Sequence, residues 1–115
     1  MQTVVETPVF IRRAEQSKVS EGELNAIRTL VAGNPSIGDL IQGTGGARKF
    51  RFAAKGKGKS GGYRIITFYT GEDIPVFLLD IYSKGDKINL SQEERNVLKR
   101  LLHRLAEVYR RKHHE

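Results

Sequence analysis

The sequence predicts a small α+β domain of order β-α-α-β-β-β-α, an antiparallel sheet packed with helices. Three observations carry this. Two serine capping boxes, Ser20 with Glu23 and Ser91 with Glu94, mark helix starts. Three alternating or β-branched runs follow one another at short intervals between residues 48 and 82. The chain has 115 residues, enough for one core and too few for a second large domain, so residues 1–115 are read as one domain.

Thr3 to Glu6 reads as a short opening strand. Thr7 then caps a helix whose first position is Pro8, where a missing N–H costs nothing, and that helix ends near Ser17. The helix from Ser20 places Leu24, Ile27, Leu30 and Val31 at helical spacing for burial, and Gly33-Asn34-Pro35 ends it. Ile37 to Gly46 holds Gly38, Gly43, Gly45 and Gly46 and reads as a connector with Leu40 and Ile41 tucked against the core.

From Arg48 to Ala54 the residues alternate, Phe50 and Phe52 on one face, Lys49 and Arg51 on the other. After a Lys/Gly turn come strands over Tyr63 to Tyr69 and Val76 to Tyr82, joined by Gly71-Glu72-Asp73. Connections this short require antiparallel pairing, because a parallel pair needs a crossover of about a dozen residues. Alternation puts Arg64 with Ile66 and Phe68, and Tyr82 with Asp80, Leu78 and Val76. A long terminal helix carries Val97, Leu98, Leu101, Leu102, Leu105 and Tyr109 as an apolar stripe.

Hydrophobic residues make up 38% of the chain and charged residues 29%, a globular balance with no apolar run near the ~20 residues of a membrane span. Met1-Gln2-Thr3 leads into a strand rather than a secretion signal, so a cytoplasmic location is expected. With zero Cys, disulfides, thiolate metal sites and cysteine nucleophiles are excluded. His113 and His114 are adjacent and His103 lies on a helix, so no histidine pair has zinc-ligand spacing; neither metal nor cofactor is expected. Arg110-Arg111-Lys112 complements the dipole of the last helix better than it suggests a membrane contact, because the neighbouring stripe suits a core.

The net charge of +7 is concentrated. Between Asp39 and Glu72 no acidic residue occurs, yet the interval holds Arg48, Lys49, Arg51, Lys55, Lys57, Lys59 and Arg64. The remaining 13 basic and 13 acidic residues balance. One positive segment on a near-neutral domain suggests a polyanion partner, since Lys and Arg displace condensed counterions from phosphates; the plainer reading is a solvated basic loop. Gly58-Lys59-Ser60 is no P-loop, because Ala53 stands where the first glycine belongs and a strand follows instead of a helix.

Antiparallel pairing brings the start of the Tyr63 strand near the end of the next, so Arg64, Tyr82 and Lys84 are expected as neighbours beside the turn holding Lys55, Lys57 and Lys59. Glycines alternating with lysines let a backbone approach phosphates, and Arg64 adds a bidentate fork. Metal-free RNA cleavage must polarise a 2′-OH, stabilise a phosphorane and protonate the leaving oxygen, and only Tyr, Lys and Arg are at hand. Crowded cations lower the pKa of a lysine, and would lower that of a phenol. The plainer alternatives are that Tyr82 packs in the sheet and that Arg64 pairs with Asp80 or the acidic turn. The residues alone leave open a catalytic basic cleft and a passive surface for RNA or DNA.

Ile41-Gln42-Gly43-Thr44-Gly45-Gly46-Ala47-Arg48-Lys49, then Lys55-Gly56-Lys57-Gly58-Lys59-Ser60-Gly61-Gly62-Tyr63-Arg64-Ile65-Ile66, then Ile81-Tyr82-Ser83-Lys84 resemble the RelE superfamily of bacterial toxins, in its HigB-type branch. The resemblance covers almost the whole chain. It implies a ribosome-dependent endoribonuclease that cuts mRNA in the decoding site, neutralised by a cognate helix-turn-helix antitoxin of HigA type, with operator DNA contacted only through that antitoxin. It implies that Arg64 stabilises the transition state, that Lys55, Lys57 and Lys59 hold RNA beside Arg48, Lys49 and Arg51, and that Lys84 takes the place of a basic catalytic residue. Relatives often present a Tyr near the start of the last helix; Leu90 stands there, which leaves proton abstraction to Tyr82 or a turn lysine. A gyrase-directed relative on the same fold and a noncatalytic RNA-binding protein are the alternatives.

Overall fold

The computed structural model describes residues 1–53, 62–83 and 90–114, with side chains as far as Arg111. Among them the chain forms β1 (Val4–Glu6), α1 (Pro8–Gln16), α2 (Glu21–Gly33), β2 (Asp39–Leu40), β3 (Ala47–Phe52), β4 (Tyr63–Phe68), β5 (Val76–Ser83) and α3 (Gln92–His114). This is the expected α+β order with one short strand added. The helix starts follow their caps. Thr7 Oγ1 accepts from Phe10 N at 3.3 Å, and both capping boxes close, with Ser20 N donating to Glu23 at 3.0 Å and Ser91 N to Glu94 at 2.9 Å.

The sheet order is β1-β5-β4-β3-β2. β2 to β5 are antiparallel to their neighbours, as the short connections require, whereas β1 lies parallel to β5 with Val4 opposite Val76. The antiparallel meander expected of the three long strands is present as β3-β4-β5, and β1 adds a parallel edge to it. The chain between Glu6 and Val76 supplies the long crossover that parallel pairing needs. β1 stops beside Leu78, and α1 continues along the exposed edge, held by Thr7 Oγ1 donating to the carbonyls of Leu78 and Leu79 at 3.0 and 3.3 Å.

Each sheet face has its own core. Phe10 and Ala14 of α1 and Ile27 and Val31 of α2 pack on Phe50, Tyr63, Ile65, Val76, Leu78 and Ile81. On the other face Leu102 and Ala106 of α3 cover Ile66, Phe68 and Phe77, with Tyr109 edge-on to Phe77 at 5.1 Å. Four residues expected inside are exposed: Leu30, Leu40, Val97 and Leu101. Leu40 faces outward from the edge strand β2. On α3, Leu98, Leu102, Leu105, Ala106 and Tyr109 fill the stripe that meets the sheet. At roughly 100° per residue, Val97 and Leu101 fall beside that stripe, not on it.

The glycine-rich connector is a built loop. Thr44 is fully buried, its hydroxyl donating to Ile41 O at 2.6 Å and accepting from Ala47 N at 3.1 Å, while Ile41 N bonds Ala47 O at 2.8 Å. Gly38 sits at φ +94°, and a Cβ there would meet Lys49 O at 2.3 Å.

Candidate functional site

The register places the basic residues. Arg51 of β3 is directly opposite Arg64 of β4, and Arg64 is directly opposite Tyr82 of β5. Directly paired residues share a face, so Arg51, Arg64 and Tyr82 form one row across three strands. This is the face that α3 covers farther along, where Ile66 and Phe68 pack. The row occupies the end of the sheet from which residues 54–61 and 84–89 depart. Lys55, Lys57, Lys59 and Lys84 lie in those segments, outside the described residues.

A β-bulge sets the row. Ile66 pairs with Asp80 but Thr67 pairs with Leu78, so Leu79 is an extra residue in β5. Alternation therefore changes phase within the strand. Val76 and Leu78 face the α1/α2 core, whereas Tyr82 packs on the α3 side. The expectation that Tyr82 shares a face with Leu78 and Val76 is corrected by this bulge; its sharing a face with Asp80 stands.

Like charges directly opposite each other cost stability in a sheet, yet Arg51 and Arg64 are so placed. Arg64 has no side-chain hydrogen bond or ion pair among the described residues. Asp80, the alternative partner for Arg64, is held by Arg13 of α1 at 3.1 Å. Asp80 also accepts the phenolic hydrogen of Tyr82 at 2.8 Å, and the Arg13 guanidinium stands 5.1 Å from the centre of the Tyr82 ring. Burial and the Asp80 carboxylate push the Tyr82 phenol up from 10.0 to about 12, Arg13 opposing. The expected lowering by surrounding cations is thereby overturned: burial raises the value, and the charged group bonded to the phenol among the described residues is the Asp80 anion.

Lys49, two residues before Arg51, shares its face and pairs with Ile66. Arg48 points to the opposite face at the β2 edge, where its guanidinium donates to Gly38 O at 3.1 Å. The structure thus brings Arg51, Arg64 and Tyr82 together and sets Arg48 apart. Sequence reasoning missed Arg13. Its signal was weak but present: position 13 adjoins the buried Ala14 on a helix that begins just after β1, and so borders the sheet.

Between α1 and α3 a groove of about 500 Å³ runs to the row, floored by Ile66, Leu79 and Leu98 and ending at Asp80, Tyr82 and Leu90. Among the described residues no three His, Asp or Glu side chains gather as a metal site, and no helix is long and apolar enough to cross a membrane.

Fold and site define a small α+β protein that sets arginines, one of them unpaired among the described residues, on an open end of its sheet. Over residues 2–114 the chain matches the RelE family, described as RelE toxin of RelE / RelB toxin-antitoxin system. The chain belongs to that family: it is a toxin of a toxin-antitoxin pair, and a cognate antitoxin is its implied partner.

Proposed function

We propose that this toxin is a ribosome-dependent mRNA endoribonuclease of the HigB-type branch that works without metal or cofactor in the cytoplasm. The observation that carries the reading is the Arg51–Arg64–Tyr82 row, in which two cations stand directly opposite each other and Arg64 is left free of acidic partners among the described residues. Such an arrangement suits an anionic ligand whose charge rises during reaction. In the proposed step the 2′-oxygen attacks the adjacent phosphorus, forming a P–O bond as the P–O5′ bond breaks. The 2′-OH proton leaves to a base and the 5′-oxygen gains one. Arg64 donates to the phosphorane oxygens.

A phenol with a pKa of about 12 remains protonated at neutral pH, so Tyr82 is assigned to hold the substrate, its ring a platform for a base or ribose. Proton transfer then falls to lysine, with Lys84 and the turn lysines Lys55, Lys57 and Lys59 as the candidates. Lys49 and Arg51 extend the row toward the RNA backbone. Arg48, on the other face, serves RNA only at the sheet edge. The proposed antitoxin is a HigA-like helix-turn-helix protein through which operator DNA is contacted. The test is cleavage of mRNA by purified protein with and without ribosomes: cuts that need both ribosomes and Arg64 support the reading, and trapped DNA breaks with intact mRNA would replace it by gyrase inhibition.

A further inference from the structure

The Asp80 side chain is only 16% exposed, and both oxygens of its carboxylate are engaged. Oδ1 accepts from Ile81 N at 2.9 Å and meets Arg13 Nε at 3.1 Å, while Oδ2 accepts from Tyr82 at 2.8 Å. Of these partners only Arg13 brings a positive charge. A carboxylate this far out of water is costly without a cation, so one that loses its counter-ion draws in the next cation within reach. The register identifies that cation. Ile66 lies opposite Asp80 and Arg64 opposite Tyr82, so Arg64 and Asp80 are diagonal neighbours on one face, at a separation of roughly 7–8 Å that an arginine side chain spans. The other strand acids are placed elsewhere: Glu6 is bonded by Arg28 at 2.7 Å, and Asp39 stands opposite Lys49 at the β2 edge. Glu93 and Glu94 border the groove at the start of α3, where Glu94 accepts from Ser91 N at 2.9 Å.

We propose that Arg13 is a positioning residue for RNA cleavage: as the counter-ion of Asp80 it keeps that carboxylate from capturing Arg64, and so leaves the Arg64 guanidinium open to an RNA phosphate. This role rests on the ribonuclease reading. Arg13 acts from α1 through Asp80, and Arg64 does the chemistry. Were Arg64 paired with Asp80, a charge-assisted bond would have to break before a phosphate could bind, which lowers phosphate affinity by about 10-fold or more. An Arg13 that only ties α1 to β5 predicts something else. Its loss would lower stability and leave Arg64 as open as before.

The test compares the full chain as wild type, Arg13→Ala, Arg13→Lys, and Arg13→Ala combined with Asp80→Asn. Three quantities are read: ribosome-dependent cleavage in single turnover, affinity for a single-stranded RNA whose 2′-O-methyl riboses block cleavage, and the crystal structure of each variant. Arg13→Ala should lose about 10-fold in cleavage and in oligonucleotide affinity, with Arg64 bonded to Asp80 in its crystal structure. Adding Asp80→Asn removes the competing charge and should restore both quantities to within about 3-fold of wild type, a non-additivity expected of residues in one network. Arg13→Lys keeps the cation and should stay close to wild type. Thermal melts complete the comparison, because the double variant should be no more stable than Arg13→Ala even though its cleavage returns. A loss of cleavage that Asp80→Asn does not restore would overturn the proposal, as would an Arg64 that stays clear of Asp80 in Arg13→Ala. If the wild type cleaves no mRNA, the ribonuclease reading fails by itself, and oligonucleotide affinity with the crystal structures still decides whether Arg13 keeps Arg64 open.

Discussion

Tyr82 gives its phenolic hydrogen to Asp80, two residues back on the same strand, across 2.8 Å. Both side chains lie on one face, and Arg13 reaches over from α1 to hold the same carboxylate and stand over one side of the ring. The tyrosine next to Arg64 is therefore fixed by a helix on the far side of the sheet edge.

Ultraviolet titration should show one phenol with a midpoint near pH 12, absent in Tyr82→Phe and moved down toward 10 in Asp80→Asn. The native pKa is raised, so the contribution of this group is fully present below pH 10, the unfolded value, and is lost as pH rises toward 12. The stability difference between wild type and Tyr82→Phe should shrink over that window in denaturant melts. A midpoint at 10 in the wild type would dissolve the Asp80 bond.

Arg64→Ala should lower ribosome-dependent cleavage on the order of 10²-fold or more, the usual loss of a preorganised electrostatic donor. Folding should be unharmed or improved, since the substitution removes the like-charge pairing with Arg51. Equal cleavage by the variant at equal concentration would take Arg64 out of the mechanism.

Tyr82→Phe keeps the ring and deletes the hydroxyl. Cleavage should fall by no more than about 10-fold, because the phenol is not the base, whereas Lys84→Ala should cost on the order of 10²-fold if lysine moves the proton. The opposite ranking in single-turnover assays would return proton transfer to Tyr82.

Replacing Lys55, Lys57 and Lys59 together by Ala should weaken ribosome or RNA binding and reduce the slope of log K against log salt by up to about three charges' worth. An unchanged slope would move the phosphate contacts elsewhere.

Thr44→Val should destabilise the fold by about 1–3 kcal/mol, since it strands the buried Ile41 carbonyl and Ala47 amide together. Gly38→Ala should also destabilise, because its Cβ would press on the β3 backbone. Thermal melts check both; neutral substitutions would mean the connector is not part of the framework.

The sequence was most readable where a short rule acts locally. Ser20 and Ser91 announced their helices because a hydroxyl and a glutamate three residues on satisfy the first amides whatever the rest of the chain does. The proximity of Arg64 and Tyr82 followed from strand direction alone. Their common face did not, because Leu78-Leu79 are both apolar and hide the bulge between them. Val97 and Leu101 looked like core because a stripe read from sequence has no edge; the sheet supplies it. The rise of the Tyr82 pKa comes first from burial on the α3 side of the sheet and then from the Asp80 carboxylate, and both depend on the phase change that the bulge makes in β5.

The parallel pairing of β1 with β5 also sets the order in which the molecule can come into being. Thr7 bonds a carbonyl 71 residues further along the chain, so the first strand emerges from the ribosome long before its only neighbour in the sheet exists. Arg13 likewise waits for Asp80, and the arrangement around Tyr82 is assembled only after β5 has been made. A nascent chain therefore carries its basic segment without the clamp that orders Tyr82, and that clamp comes together only after Asp80 and Tyr82 have been made.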